Sequence, residues 1–427
     1  MNQAKPRRGA LRRWLDEPGV FLKWVVFACV IGIVVGGVST AFYFCFHWAT
    51  TLRQAHHWLI VLLPAGGAAI VLLYRACGME RDRGTNFVLV AVREDQPLRL
   101  RTAPLVFLST IITHLVGGSS GREGAILQIG GSISSKIGHW MGLNDKDRRI
   151  ITMCGMSAAF SALFGTPLTA AMFAMEVTSV GVLYYAAIVP CVLSAIIGLW
   201  VAQFFGVPGT AFDLAGVPDL TPLTLVQVIG MGILFAALSI LFCRLMHAAP
   251  KIYDRFLPRP VLRAAVGGAV VIGLTFLVWL WNPGTYDYNG AGEAVIHAAI
   301  GGQARPEAFF LKMLFTTITL GAGFKGGEIV PVFFTGATFG CTGKRGPDDR
   351  CRGLHRGPAA GTASLLWGGA GHGQRLLRRH QLPADLPAAF PGAVRRRQLR
   401  DVYRTEPGAL RRLDRRFLYA FRLLWPV

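Results

Sequence analysis

The sequence predicts an all-α polytopic membrane protein, and three observations carry that class. Hydrophobic residues make up 52% of the 427 residues and charged ones only 16%, with a mean hydropathy of +0.45. Six windows (24–46, 54–74, 150–175, 177–212, 221–243 and 264–286) contain no Asp, Glu, Lys or Arg. Each reaches the roughly 20 residues that a helix needs to cross a bilayer core, which a soluble fold has no reason to repeat six times.

The first window follows Lys5, Arg7, Arg8, Arg12 and Arg13, whereas the loop after it, 47–57, offers only Arg53. This asymmetry predicts a cytoplasmic N-terminal segment, 1–19, and an anchored span rather than a cleaved leader. Six of the eight cysteines fall inside apolar runs, where a thiol acts as a small hydrophobe, so no disulfide framework is implied. Cys341, Cys351 and His355 match no familiar zinc spacing, and no metal or other cofactor is expected.

Charge is unevenly spread: residues 342–427 hold 18 Lys and Arg against 6 Asp and Glu. That segment has no spanning window and no periodicity. Its Arg-, Gly- and Pro-rich composition is what out-of-frame translation of a GC-rich coding sequence gives, or at best a disordered tail. The basic excess therefore does not argue for a nucleic-acid partner.

The stretch GGSSGREGAILQIGG (117–131) interrupts the apolar pattern and carries a carboxylate. A second stretch, GAGFKGGEIVPVFFTG (321–336), resembles it when Glu123 is matched with Glu328, an offset of 205 residues. Each copy reads as an apolar helix, a glycine-rich break with one Glu, and a second apolar helix. Interrupted segments repeated in two halves are the sequence sign of a transporter whose site lies where broken helices meet near the bilayer midplane. Glycines that merely allow close helix packing would explain the Gly residues alone.

A break followed by a helix exposes amides without intrahelical partners, and these suit a dehydrated anion without a full positive charge. Gly121, Gly124, Ala125, Ile329 and Val330 are the candidate anion-binding positions, with Arg122 raising the local anion concentration at the mouth. Moderate binding lets the ion leave, so a Lys or Arg inside the site is not expected. Glu123 can occupy the anion position when ionised and vacate it when protonated, linking anion movement to proton movement. A plainer reading has Glu123 paired with Arg122 in an interfacial loop.

The segment Gly121-Arg122-Glu123-Gly124-Ala125-Ile126-Leu127-Gln128 resembles the GREGPxxQ signature of the CLC family of chloride channels and anion/proton antiporters. Gly326-Gly327-Glu328-Ile329-Val330-Pro331 stands where that family has GxFxP, and the segment from Gly155 to Glu176 resembles the helix pair that follows the signature. The resemblance spans about 20–341. It implies CLC-type inverted repeats with broken helices, a homodimer in a bacterial inner membrane, one path per subunit for a small anion and protons, and Glu123 as gating glutamate.

Departures from the family pattern refine the expectation. The usual GSGIP segment is replaced by Arg83-Gly84-Thr85-Asn86-Phe87-Val88-Leu89, position 328 is Glu rather than apolar, and Val177 stands where a second acid is usual. Together these look like the fluoride-selective branch, which exchanges fluoride for protons. Fluoride is small and strongly hydrated and needs close donors: Asn86 offers an amide N–H and Phe87 the positive edge of its ring. Glu328 is a secondary acid with no assigned role. A chloride channel or chloride/proton exchanger of the same family is the alternative, and an inactive frameshifted remnant is another. An intramembrane enzyme would rest on Ser119, Ser120 and His114, which lack a third orienting group. The turn at 286–290 reads as extracellular.

Overall fold

The computed structural model describes residues 10–79, 88, 98–178, 184–210 and 221–342. Asn86, Phe87, the basic segment 1–9 and the Arg-rich segment 343–427 lie outside the described residues. Twelve α-helices are found among those described: α1 (Ala10–Ala55), α2 (Leu63–Ala76), α3 (Thr102–Leu115), α4 (Glu123–Trp140), α5 (Asp145–Phe164), α6 (Pro167–Thr178), α7 (Ile188–Phe204), α8 (Pro222–Phe256), α9 (Pro260–Trp281), α10 (Glu293–Ile300), α11 (Ala308–Gly321) and α12 (Ile329–Thr342). Short 3-10 turns at His57–Leu62 and Tyr185–Ala187 lead into α2 and α7. Helix α1 begins at Ala10, so Arg12 and Arg13 lie in its first turn.

Among the described residues, five helical stretches are long and apolar enough to cross a membrane: Phe21–Ala55, His57–Ala76, Tyr185–Phe204, Pro222–Phe256 and Pro260–Trp281. The sixth uncharged window, 150–175, is not one span. Gly165 ends α5 with φ at 76°, its amide donating to Ser161 O at 2.8 Å, and Pro167 opens α6. A left-handed glycine followed within two residues by a proline, which disfavours helix in the residue before it, stops one helix and starts another.

Helix α5 is the core. Every residue from Ile150 to Leu163 is buried, as expected of a helix that is apolar all round and packs on α1, α4, α6 and α7. Small residues make that possible: a Cβ on Gly155 would lie 2.5 Å from the Gly130 carbonyl of α4. Reciprocal hydroxyl bonds lock α5 to α7, with Ser157 Oγ donating to Cys191 O and Ser194 Oγ to Cys154 O, both at 3.0 Å. The outer helices face the other way. Trp200, Phe204, Ile233, Phe276 and Trp281 are among the large apolar side chains exposed on α7, α8 and α9. An apolar belt around a core that holds its polar groups inside describes a multi-pass membrane protein.

The shorter helices α3, α4, α11 and α12 build the interior breaks. Helices α3 and α11 have the same length and end in the same way, and α4 and α12 begin beside one another.

Candidate functional site

The breaks between α3 and α4 and between α11 and α12 meet through a backbone bridge. Gly121 N donates to Gly327 O and Gly327 N to Gly121 O, both at 2.6 Å, as an isolated antiparallel bridge. Glycine is required at both positions. A Cβ on Gly327 would lie 2.8 Å from Gly124 N and 2.9 Å from Glu123 N, and one on Gly121 would meet Pro331 Cδ at 3.1 Å and collide with Glu123 Oε2. The bridge thereby brings the first turns of α4 and α12 together, which is the arrangement anticipated for Gly121, Gly124, Ala125, Ile329 and Val330.

The repeat is real, but its register differs by one residue from the sequence match. Ala308 stands for Thr102, Gly323 for Gly117, Gly327 for Gly121 and Ile329 for Glu123, an offset of 206 throughout. Both Gly117 and Gly323 hold the positive φ that turns the chain after its helix, 86° and 106°. The backbone equivalent of Glu328 is therefore Arg122, and Glu123 has no acidic counterpart. Matching the two glutamates placed an identical side chain ahead of an identical backbone role.

Glu123 is completely buried at the first position of α4. Its Oε2 accepts from Val330 N, in the first turn of α12, at 3.3 Å, while its Oε1 has no partner. The carboxylate thus crosses from its own helix to the amides of the opposite one, covering both bridge glycines. A helix start with its free N–H groups is where an anion would be held, and here the Glu123 side chain reaches it.

Arg122 does not pair with Glu123. Its guanidinium, 5% exposed as a residue, forms an ion pair with Glu293 of α10 at 2.8 Å and stacks over Phe46 and Tyr43 of α1, 5.2 and 5.8 Å from their centroids. Adjacent residues at a helix start point apart, so Arg122 is consumed by the wall. The interfacial-loop reading of Glu123 fails on the same contacts. Glu328 is half-buried before α12.

The intramembrane-enzyme arrangement is also absent. His114 is buried with its ring 4.4 Å from Phe46, and its Nδ1 and Nε2 each lie 2.9 Å from a backbone carbonyl, those of Thr110 and Ser120. Ser119 Oγ bonds instead to Thr316 Oγ1 of α11 at 3.1 Å, so no hydroxyl is set against the imidazole. Ser119 N further donates to Thr319 Oγ1 at 3.2 Å, tying the first break to the helix of the second.

Two features escaped the sequence reading. The 286–290 turn is tied into the first break: Tyr288 and Asn289 are buried, Gly290 N donates to Gly118 O at 3.1 Å, and Asn289 Nδ2 donates to Gly117 O at 3.0 Å. Lys312, fully buried on α11, donates from Nζ to Gly290 O at 2.7 Å and Tyr288 O at 3.3 Å, and lies over the Phe334 ring. A lone lysine in an otherwise uncharged helix was the available signal. A lysine therefore does stand behind the break, bound to carbonyls rather than open to the anion. Val88, beside the segment carrying Asn86 and Phe87, packs against Gly131 of α4.

Comparison with known proteins agrees with this geometry. The family model for the voltage gated chloride channel matches residues 66–344. A chloride/fluoride channel protein of Pseudomonas syringae pv. tomato is 34% identical over 331 residues, covering 76% of this chain and 73% of its own. An H(+)/Cl(-) exchange transporter of Cronobacter sakazakii is 24% identical over 354 residues, 78% of this chain and 75% of its own. Among solved structures, a CLC-type fluoride/proton antiporter superposes with a TM-score of 0.73 at 29% identity, covering 81% of this chain and 85% of that one. A slow cyanobacterial Cl-/H+ antiporter shares the fold, with a TM-score of 0.60 at 19% identity. With paired broken helices, a buried glutamate across their junction and a family match over most of its described length, this chain belongs to the CLC family of voltage-gated chloride channels and anion transporters.

Proposed function

We propose that the anion is fluoride, that it is exchanged for protons, and that Glu123 is both gate and proton carrier. The observation that carries this reading is the contact of Glu123 Oε2 with Val330 N across the junction. An ionised carboxylate in that position satisfies α12 and fills the place of the anion. Protonation removes its charge and its preference for the amide, so it leaves and an anion enters. One group thereby couples the two ions in opposite directions.

Fluoride is favoured over chloride by the replaced segment around Asn86 and Phe87, by Glu328, and by similarity to a relative named for chloride and fluoride and to a fluoride/proton antiporter. The chain acts as a homodimer in a bacterial inner membrane with its N-terminus in the cytoplasm. The test is ion-electrode recording from liposomes holding the protein. Fluoride release well above chloride release, with proton uptake, is expected. Chloride release at an equal or greater rate would remove the fluoride assignment and leave chloride transport.

A second reading concerns 343–427. The family match stops at residue 344, where the Arg- and Gly-rich composition begins. Out-of-frame translation accounts for both and would leave the second half of the path unfinished. Translation of the gene in its other frames decides it: a frame that restores apolar helices supports this reading, and none doing so ends it.

A further inference from the structure

We propose that Arg53 forms a second anion-binding position, on the approach to the Glu123 junction from the C-terminal end of α1. It sits in the last turn of α1 and is 6% exposed. No hydrogen bond or ion pair joins its guanidinium to any described residue, and its Nε is buried without a partner. A guanidinium carries five donors and keeps its charge at any accessible pH, so a buried one normally has a carboxylate, a carbonyl or an anion before it. Every other buried cation near the junction has one: Arg122 has Glu293, and Lys312 has two carbonyls.

Arg53 packs against the turn that is tied to the first break. The stem of Arg53 runs against Gly117, where a Cβ would be 3.5 Å from Cδ, and its Nη2 lies 3.1 Å from the place of a Cβ on Gly290. Both glycines hold positive φ, and they flank the Gly290–Gly118 bond. Arg53 therefore reaches the turn that Lys312 holds from the other side. Lys312 Nζ bonds Gly290 O, and Arg53 Nη2 lies against the same glycine, so both basic side chains meet at the turn that is tied to the first break. Stabilising the α1 dipole would explain a basic residue at a helix end, but it needs neither burial nor an empty donor set.

The ligand class is a small monovalent anion held by charge-assisted N–H bonds. Strong donors at the approach and neutral amides at the neck fit an ion that must be captured and then released. The second break has an arginine too: Arg263 Nη2 lies 3.7 Å from the place of a Cβ on Gly323, but Asp254 is paired with it. Of Arg53, Arg122 and Arg263, each with a buried Nε that lacks a partner, Arg53 is the one without a carboxylate among the described residues.

This inference rests on the anion-transport reading, and its test keeps the two apart. Calorimetric titration of the detergent-purified 427-residue chain with fluoride and with chloride, at fixed ionic strength, gives an affinity for each. Arg53→Gln is expected to weaken the ion that binds the parent chain about tenfold. Arg53→Lys, which keeps the charge but loses the planar fork, is expected to weaken it about threefold. Glu123→Gln, measured in parallel, reports on the gate instead: its failure to alter binding counts against the role of Glu123 and not against Arg53. Affinity unchanged in both Arg53 variants, or no halide binding by the parent, overturns the proposal. Should Arg53→Gln not yield folded protein, Arg53→Lys alone decides.

Discussion

The two breaks share a backbone and differ in what they do with charge. Each ends a 14-residue helix, turns at a positive-φ glycine, reaches a bridge glycine and starts a new helix two residues later. At the first break the residues before and at the helix start are Arg122 and Glu123, at the second Glu328 and Ile329. Only the first therefore sends a carboxylate across to its partner, and only the second leaves its amides to be capped by the other. The site is asymmetric in chemistry although it is symmetric in backbone. An exchanger needs that difference, because two facing carboxylates would repel each other and one alone can trade places with an anion.

The sharpest way to break the comparison is at the bridge. Gly327→Ala would put a Cβ against two backbone amides, which cannot move aside, whereas Gly121→Ala would meet mainly the mobile end of Glu123 and the edge of Pro331. Gly327→Ala should therefore cost about 3 kcal/mol or more, and Gly121→Ala about half of that, with Glu123 displaced. Melting in detergent followed by intrinsic fluorescence measures both, and equal losses would show that the carboxylate is as rigid as the backbone.

The wall charge comes next. Removing Glu293 strands Arg122 against two aromatic rings, but the Glu293 side chain is 40% exposed, so the loss is expected to stay near 1–2 kcal/mol. A double-mutant cycle of Glu293→Gln with Arg122→Gln should return a coupling of that size. A coupling near zero would mean that the rings alone hold Arg122. The smallest effect is at the turn. Asn289→Ala removes bonds to Gly117 O and Thr275 Oγ1 and should cost about 1 kcal/mol by the same melting measurement. No loss would show that Lys312 fixes the turn unaided.

Much of this was legible in the residues. Glycine runs that interrupt apolar windows disclose the breaks, because backbone must be bent where no side chain can be accommodated. Glu123 stood out as a carboxylate inside a glycine-rich break between apolar helices. The one-residue register error arose because the glutamate is a side-chain identity, while the repeat is set by the backbone at Gly117 and Gly323. The partnership of Arg122 with Glu293 was not readable, since it joins residues far apart through the packing of α10 on α12 and α4 beside it. The split at Gly165 was readable from Gly and Pro two residues apart, and it agrees with the helix pair that the resemblance of 155–176 implies.

The central claim is that Glu123 alone couples proton to anion, with Glu328 outside the junction. Proton uptake driven by fluoride release from liposomes, compared for the parent chain, Glu123→Gln and Glu328→Gln, tests it most directly. The account predicts that Glu123→Gln lowers proton uptake at least about tenfold while fluoride still moves, and that Glu328→Gln lowers it less. Proton uptake unchanged in Glu123→Gln would contradict it.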